Sequence, residues 1–389
     1  MIGLRGSINI LLQSVFVSNV GSYLIIPVLA VYLSEEGNID IALVGTIFAV
    51  GSLAQMVGSL ASGAVSNLLG IKATLICALL LRVFGFLSLL ALGNFWMIIL
   101  GFSAVWTGSG LYVPVSKTYI SLNSNAADRG RYLAWRSAAA NAGVALGPLL
   151  GVVLLEIGGY LSLFASAALV FVAATVSNLL LLAVETDESS LRASWLHYLS
   201  RARLMRLGRL VPLAFVSMFM LAAFDIIVPI YGTGLIGPYA PQLAFFVNAL
   251  AVIVLQSVFG AAVSGAVSRH SPAYAFCLLG ASAVLMLISN SWALFVVAVV
   301  VFSVSEVALM LSVDLSASRS PAGDLGDTYA VTAAGGSIGS AIGNQLFGLV
   351  YALTVPSSFW MFFASLAVIF AVVFWLNPNT LGYARDEVS

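Results

Sequence analysis

Charge is what this chain has least of. Asp, Glu, Lys and Arg together make up 8% of its 389 residues, against about 25% in soluble domains. The formal net charge is zero, which gives no sign of a nucleic-acid partner, and none is expected. Cysteine is nearly absent as well: Cys77 and Cys277 both fall in apolar runs, so neither a disulfide nor a metal site is expected. The only histidines, His197 and His270, lie in separate polar stretches. No nucleophile–base spacing and no phosphate-binding loop stands out, so the chain does not read as an enzyme and no cofactor is expected. The longest polar stretch is far too short for the nucleotide-binding domain of an ATP-driven pump. A small-residue cleavage site is lacking after the first apolar run, which is therefore expected to stay as a helix rather than leave as a signal peptide.

What is present is apolar sequence, 61% of the residues. A spanning helix takes about 20 apolar residues. Twelve spans are predicted, near 8–33, 40–65, 72–92, 96–119, 132–156, 160–184, 211–235, 242–267, 273–289, 292–316, 328–352 and 358–377. A closed barrel would show short alternating segments, which are absent. The fold class is an all-α polytopic membrane protein.

One long polar segment, Glu185–Arg209, interrupts the apolar sequence. The halves on either side are related by subtraction. Adding 202 carries Pro27 to Pro229 and Gly58, Ser62, Gly63, Ala64, Val65 and Ser66 to Gly260, Ser264, Gly265, Ala266, Val267 and Ser268. Adding 196 carries Asn94, Trp96, Asp128, Gly130, Gly143 and Gly147 to Asn290, Trp292, Asp324, Gly326, Gly339 and Gly343. A duplicated bundle explains this: residues 1–184, a linker at 185–210, and residues 211–389. The linker arginines, with Arg5, Lys72, Arg129, Arg131, Arg269, Arg319 and Arg385, fall on one side, whereas Ser34–Asp40 and Ile236–Pro241 carry no basic residue. Both termini and the linker are therefore expected in the cytoplasm, and the linker's arginines also suit anionic lipid head groups.

Helix 1 carries Ser14, Ser18 and Ser22 four apart on one face, a polar stripe suited to interhelical bonding or to a cavity lining. The stretch Gly58 to Lys72 contains Gly58, Gly63, Gly70 and a basic Lys72. It resembles the signature between helices 2 and 3 of the major facilitator superfamily, except that Ser66 and Asn67 replace the family's Asp-Arg pair and Ile71 a basic residue. In helix 4, Ala104, Trp106, Gly108 and Gly110 lack the arginine frequent in the family's drug exporters. In helix 5, Gly143, Gly147, Pro148 and Gly151 resemble that branch's glycine-proline motif, although its counterpart in helix 11 has Asn344 in place of the proline. The resemblance covers nearly the whole chain. It implies two pseudo-symmetric six-helix bundles and, in the bacterial drug:proton antiporter branch, proton-coupled multidrug efflux by alternating access from the cell membrane, as a monomer among lipids. Uptake of a nutrient, or a receptor that no longer moves solute, are the alternative readings.

Asp225 lies fourteen residues into helix 7 and Glu306 fourteen into helix 10. At about 1.5 Å per residue both sit well inside a core about 30 Å thick. A low-dielectric surrounding disfavours an ionised carboxylate, so such a group is suited to load and release a proton. Protons are accordingly the expected coupling ion, and a small molecule the expected substrate. Pro229, four residues on, is expected to free the carbonyl of Asp225 and bend the helix there. By the 202 offset Asp225 corresponds to Tyr23, and by the 196 offset Glu306 corresponds to Gly110, so neither acid belongs to the repeated scaffold. Arg82 and Arg136 are possible charge partners, Arg82 in a structural or gating role. Asn19, Tyr23, Gln55, Trp106 and Asn141 are candidate cavity residues. Lys117, Glu156 and Asp314 lie near helix ends, where snorkelling is expected.

Overall fold

The computed structural model describes residues 4–90, 94–124, 126–181, 211–266, 270–318 and 325–377. Within them the helices fall into twelve segments. The first four are α1 (Leu4–Val31, prolonged by the π-helical turn Tyr32–Glu36), α2 (Ile41–Leu69), α3 (Ile71–Ser88) and α4 (Phe95–Leu122). The helical run Ala126–Leu179 holds α5 (126–157) and α6 (160–179), parted by Gly158 and Gly159, whose dihedrals are not helical. Next come α7 (Val211–Leu221 and Ala223–Ile236), α8 (Ala240–Ala266), α9 (Ser271–Ile288), α10 (Trp292–Ser318), α11 (Leu325–Leu353) and α12 (Pro356–Leu376). Nine helical stretches among the described residues are long and apolar enough to cross a membrane, and one of these, Arg131–Leu179, contains most of α5 and all of α6. The chain is an all-α polytopic membrane protein.

Boundaries depart from the hydropathy reading where capping decides them. α3 ends at Ser88, not 92: Leu89 still bonds to Gly85, but the amide of Leu90 turns to the carbonyl of Leu87 at 3.2 Å, three residues back. The side chain of Asn94 then accepts the amides of Trp96 and Met97 and starts α4. Part of the expected loop Ser34–Asp40 is helical, since the π turn continues α1 to Glu36. The linker at 185–210, Arg269, Arg319, Asp324 and Arg385 lie outside the described residues, and so do the side chains from Gly260 to Ser268.

By contact the chain divides into two compact units, Met1–Ile39 with Val50–Trp195, and Asp40–Ala49 with Leu196–Ser389. Each carries polar groups inside and grease outside. Ser14, Ser18, Ser22, Arg82, Arg136 and Asn178 are buried, whereas Ile157, Leu161, Leu169, Leu353 and Leu376 are exposed. In hydrocarbon the apolar face needs no covering, and the polar one must find partners within the bundle.

The small-residue contacts repeat between the units. In α5, a Cβ on Gly143 would stand 2.6 Å from the carbonyl oxygen of Phe16, and one on Gly147 would stand 3.0 Å from that of Val20. In α11, a Cβ on Gly339 would meet the carbonyl oxygen of Phe215 at 2.1 Å, and one on Gly343 that of Phe219 at 2.3 Å. The same two glycines thus seat α5 on α1 and α11 on α7, as the 196 offset predicts. Gly151 continues the α5 row, 3.1 Å from the carbonyl oxygen of Leu24. The beginning of α2 groups with the second unit through another such contact: a Cβ on Gly45 would lie 2.5 Å from the carbonyl oxygen of Asn344 and 3.1 Å from Cα of Gly348.

The glycines of the α2–α3 turn have separate tasks. Gly58 packs on Thr107 of α4, where a Cβ would fall 2.4 Å from its carbonyl oxygen, whereas Gly63 faces open space among the described residues. Gly63 is therefore no part of a close-packed glycine frame. Gly70 holds φ 83° and ψ 155°, a conformation that costs other residues about 1–3 kcal/mol, and Lys72 follows half-buried in the first turn of α3. Gly70→Ala is accordingly expected to lower the thermal midpoint of the purified protein, with no solute required to see the effect.

Candidate functional site

The two deep acids both belong to the second unit. Asp225 stands on the second half of α7 and Glu306 in the middle of α10, close enough for Asp225 to feel the charge of Glu306. Asn248 of α8 joins them: its Nδ2 donates to Oε2 of Glu306 at 2.6 Å and to Oγ of Ser303 at 3.1 Å. Ser303 in turn donates to the carbonyl of Val299 at 2.8 Å, which fixes its orientation. Asn248 of α8 thus ties together two polar side chains of α10, Ser303 and Glu306.

An aromatic layer lies beside it. The ring of Phe224, the residue before Asp225, sits 4.9 Å from both Phe245 and Phe302. Phe302 precedes Glu306 by one turn on α10, and Phe245 precedes Asn248 on α8. The three rings are buried against one another.

The interruption of α7 has a cause that the repeat exposes. The glycine contacts pair Phe16 with Phe215 and Val20 with Phe219, an offset of 199, whereas Pro27 and Pro229 differ by 202. Between these points α7 contains three more residues than α1, close to the 3.6 of one helical turn. The structure takes up the excess at Ala222, which parts the two halves of α7, and the amide of Asp225 bonds to the carbonyl of Ala222 at 3.3 Å in a tightened turn. The irregularity therefore falls one turn before the carbonyl of Asp225, where Pro229 alone would place it. Asp225 follows this point, where the offset of 202 between Pro27 and Pro229 applies, so it keeps its correspondence with Tyr23.

Arg82 and Arg136 are accommodated inside the first unit. Arg82 donates Nη2 to Oγ of Ser22, and its guanidinium lies 4.4 Å over the ring of Phe171. Arg136 donates Nε to Oγ of Ser116 at 2.8 Å and Nη2 to the carbonyl of Val113 at 3.5 Å. The five candidate cavity residues are all half-buried. Asn19 turns its amide to the carbonyl of Val15 at 2.8 Å, and Tyr23 lies against Gly147. Trp106 packs with Phe102 over Gly51, and the backbone of Gln55 lies against Gly110. Lys117, Glu156 and Asp314 are exposed. Pro27, Pro148 and Pro229 all lie inside helices.

Asn248 is the residue that sequence reading missed. The signal that could have found it is positional: Asn248 is a bare amide within an apolar run, and the polar atoms of such a run must be satisfied by another helix.

Comparison with known proteins places this geometry in context. Residues 11–271 match the Major Facilitator Superfamily. Two uncharacterized MFS-type transporters of Mycobacterium tuberculosis, from strains CDC 1551 / Oshkosh and ATCC 25618 / H37Rv, are each 26% identical over 193 residues, 48% of this chain and 45% of theirs. The match thus spans less than half the length of these relatives. Among solved structures, a POT family transporter in complex with 5-aminolevulinic acid superposes with a TM-score of 0.80 at 14% identity, covering 97% of this chain and 96% of that one. A mutant of the nucleoside transporter NupG gives 0.75 at 13% identity, covering 95% and 99%. The human organic anion transporter MFSD10 gives 0.67 at 16% identity, covering 95% and 99%. At these identities the likeness is one of fold.

Proposed function

Because the chain belongs to the major facilitator superfamily, we propose that it is a proton-coupled secondary transporter that exports a small amphipathic or cationic compound by alternating access. Asp225 and Glu306 load and release the proton, and Asn248 holds Glu306 in place. The observation that carries the reading is a carboxyl group deep in α10 held by the amide of Asn248 at 2.6 Å, in a unit that carries a second acid in the middle of α7. Buried acids without a fixed cation are costly in hydrocarbon unless they have a proton or a ligand to take up. We place both termini and the 185–210 linker on the cytoplasmic side of the cell membrane.

Uptake is the second reading. It is favoured by the solved structures of like fold, which include a POT family transporter in complex with 5-aminolevulinic acid and a nucleoside transporter. Sealed proteoliposomes of known orientation, given an imposed pH gradient and a panel of organic cations, amino acids and nucleosides, test both. Solute movement opposite to the proton flow supports export, and movement along with it establishes uptake. Solute binding without flux under either gradient would overturn transport and leave a receptor.

A further inference from the structure

The contacts around Asn248 restrict where hydrogen atoms can lie. Ser303 is fully buried on α10, on the same helix as Glu306. Its hydroxyl lies 2.8 Å from the carbonyl of Val299, and a carbonyl can only accept, so the single hydroxyl hydrogen is spent there. The oxygen of Ser303 must therefore accept from Asn248, 3.1 Å away, which requires that the near end of that amide be its nitrogen. The same nitrogen lies 2.6 Å from Oε2 of Glu306. That separation alone would suit a carboxylic O–H donating to an amide oxygen as well as an N–H donating to a carboxylate. The serine settles the choice: both hydrogens of Nδ2 are given away, and Oε2 is an acceptor.

Glu306 is constrained in turn. With Nδ2 in front of it, Oε2 cannot carry a hydrogen of its own along that line, because two donors would then face each other. The bond from Asn248 is the one hydrogen bond that Glu306 makes among the described residues, so Oε1 is open. The half-buried carboxyl group thus has one oxygen held and one oxygen available. Turning the amide over would present Oδ1 and call for a proton on Oε2, but Ser303 would then have to give up Val299 and donate to Oδ1 instead.

We propose that Ser303 is a positioning residue which, acting through Asn248, confines the proton of Glu306 to Oε1. The proton comes from water: its bond to Oε1 forms, its bond to the donor water breaks, and the carboxylate charge is neutralised while Oε2 goes on accepting from Asn248. This assignment rests on the reading of Glu306 as a proton carrier, and adds to it the atom that carries and the residue that selects it.

Infrared difference spectra of the whole protein in lipid membranes, stepped between alkaline and acidic buffer, test it. The C=O stretch of protonated Glu306 is the band that vanishes in Glu306→Gln and persists in Asp225→Asn. In the wild type that carbonyl is Oε2, and the hydrogen bond it accepts lowers its frequency. In Ser303→Ala the amide is released to turn, because a buried N–H left unpaired costs more than an under-used oxygen. Oε2 then donates to Oδ1, the carbonyl becomes the unbonded Oε1, and the band moves to higher wavenumber. Asn248→Leu, which removes the donor, should move it the same way and supplies the unbonded reference. Ser303→Thr, whose hydroxyl can also reach the carbonyl four residues back, should restore the wild-type position; a merely structural role for Ser303 would move none of these bands. An unchanged band in Ser303→Ala, or a wild-type band already at the position seen in Asn248→Leu, would overturn the proposal and leave proton carriage by Glu306 standing. Absence of any band dependent on Glu306 would overturn both.

Discussion

Glu306→Gln is expected to reduce pH-gradient-driven transport by about 100-fold or more, equivalent to about 2.7 kcal/mol of barrier, while downhill exchange of solute continues. The substitution keeps the size and hydrogen-bonding shape of the side chain and removes its ability to change charge. Asn248 can still donate to the amide oxygen, as it now does to Oε2 at 2.6 Å, so the contact should stay in place. Asp225→Asn is expected to act in the same direction. Because Asp225 feels the charge of Glu306, the two should not act independently, and the double variant should be scarcely worse than the more damaging single one. Asn248→Leu makes the complementary case: it leaves both acids and removes a hydrogen bond to a chargeable group worth about 1.5–3 kcal/mol. Solute flux driven by a pH gradient, set beside counterflow in the same vesicles, separates these outcomes. If gradient-driven transport survives in the doubly amidated protein, protons travel elsewhere.

Alanine at two glycines should move stability in opposite directions. In a helix, Gly→Ala ordinarily stabilises by up to about 1 kcal/mol. Gly63 has no described atom within 4 Å of its added Cβ, so Gly63→Ala should be neutral or raise the thermal midpoint. At Gly339 the added Cβ would stand 2.1 Å from a backbone oxygen of Phe215. A main-chain atom cannot rotate away as a side chain can, so α11 must lift off α7. Overpacking of this kind costs about 1–3 kcal/mol or more, enough to outweigh the helix-propensity gain. Gly143→Ala, with a 2.6 Å approach to Phe16, should repeat the loss more mildly in the first unit. Midpoints measured in one detergent rank the three variants, and a stabilising Gly339→Ala would remove the packing argument.

The parts of the molecule that were legible in the sequence are those with a local physical signature. Spans could be read because hydrocarbon demands about 20 apolar residues at a stretch. The glycine pairs at 143/147 and 339/343 could be read because close helix contact tolerates little else. The acids stood out because charge is so rare in this chain. Asn248 gave no comparable sign, since an amide in a helix matters only if the helix is turned towards a partner, and that rotation is set by tertiary packing. The interruption at Ala222 was hidden for the same reason: Pro229 marks a helix prone to bend, but where α7 yields depends on its register against α11.

Gly158 and Gly159 carry a consequence out of proportion to their size. They interrupt a helical run of 54 residues, with Gly159 at φ 60° and ψ −156°. Unbroken, that run would be a rod about 81 Å long at 1.5 Å per residue, well over twice the thickness of the hydrocarbon it has to cross. Two backbone units, neither with a side chain to oppose the reversal, turn one rod into two crossings.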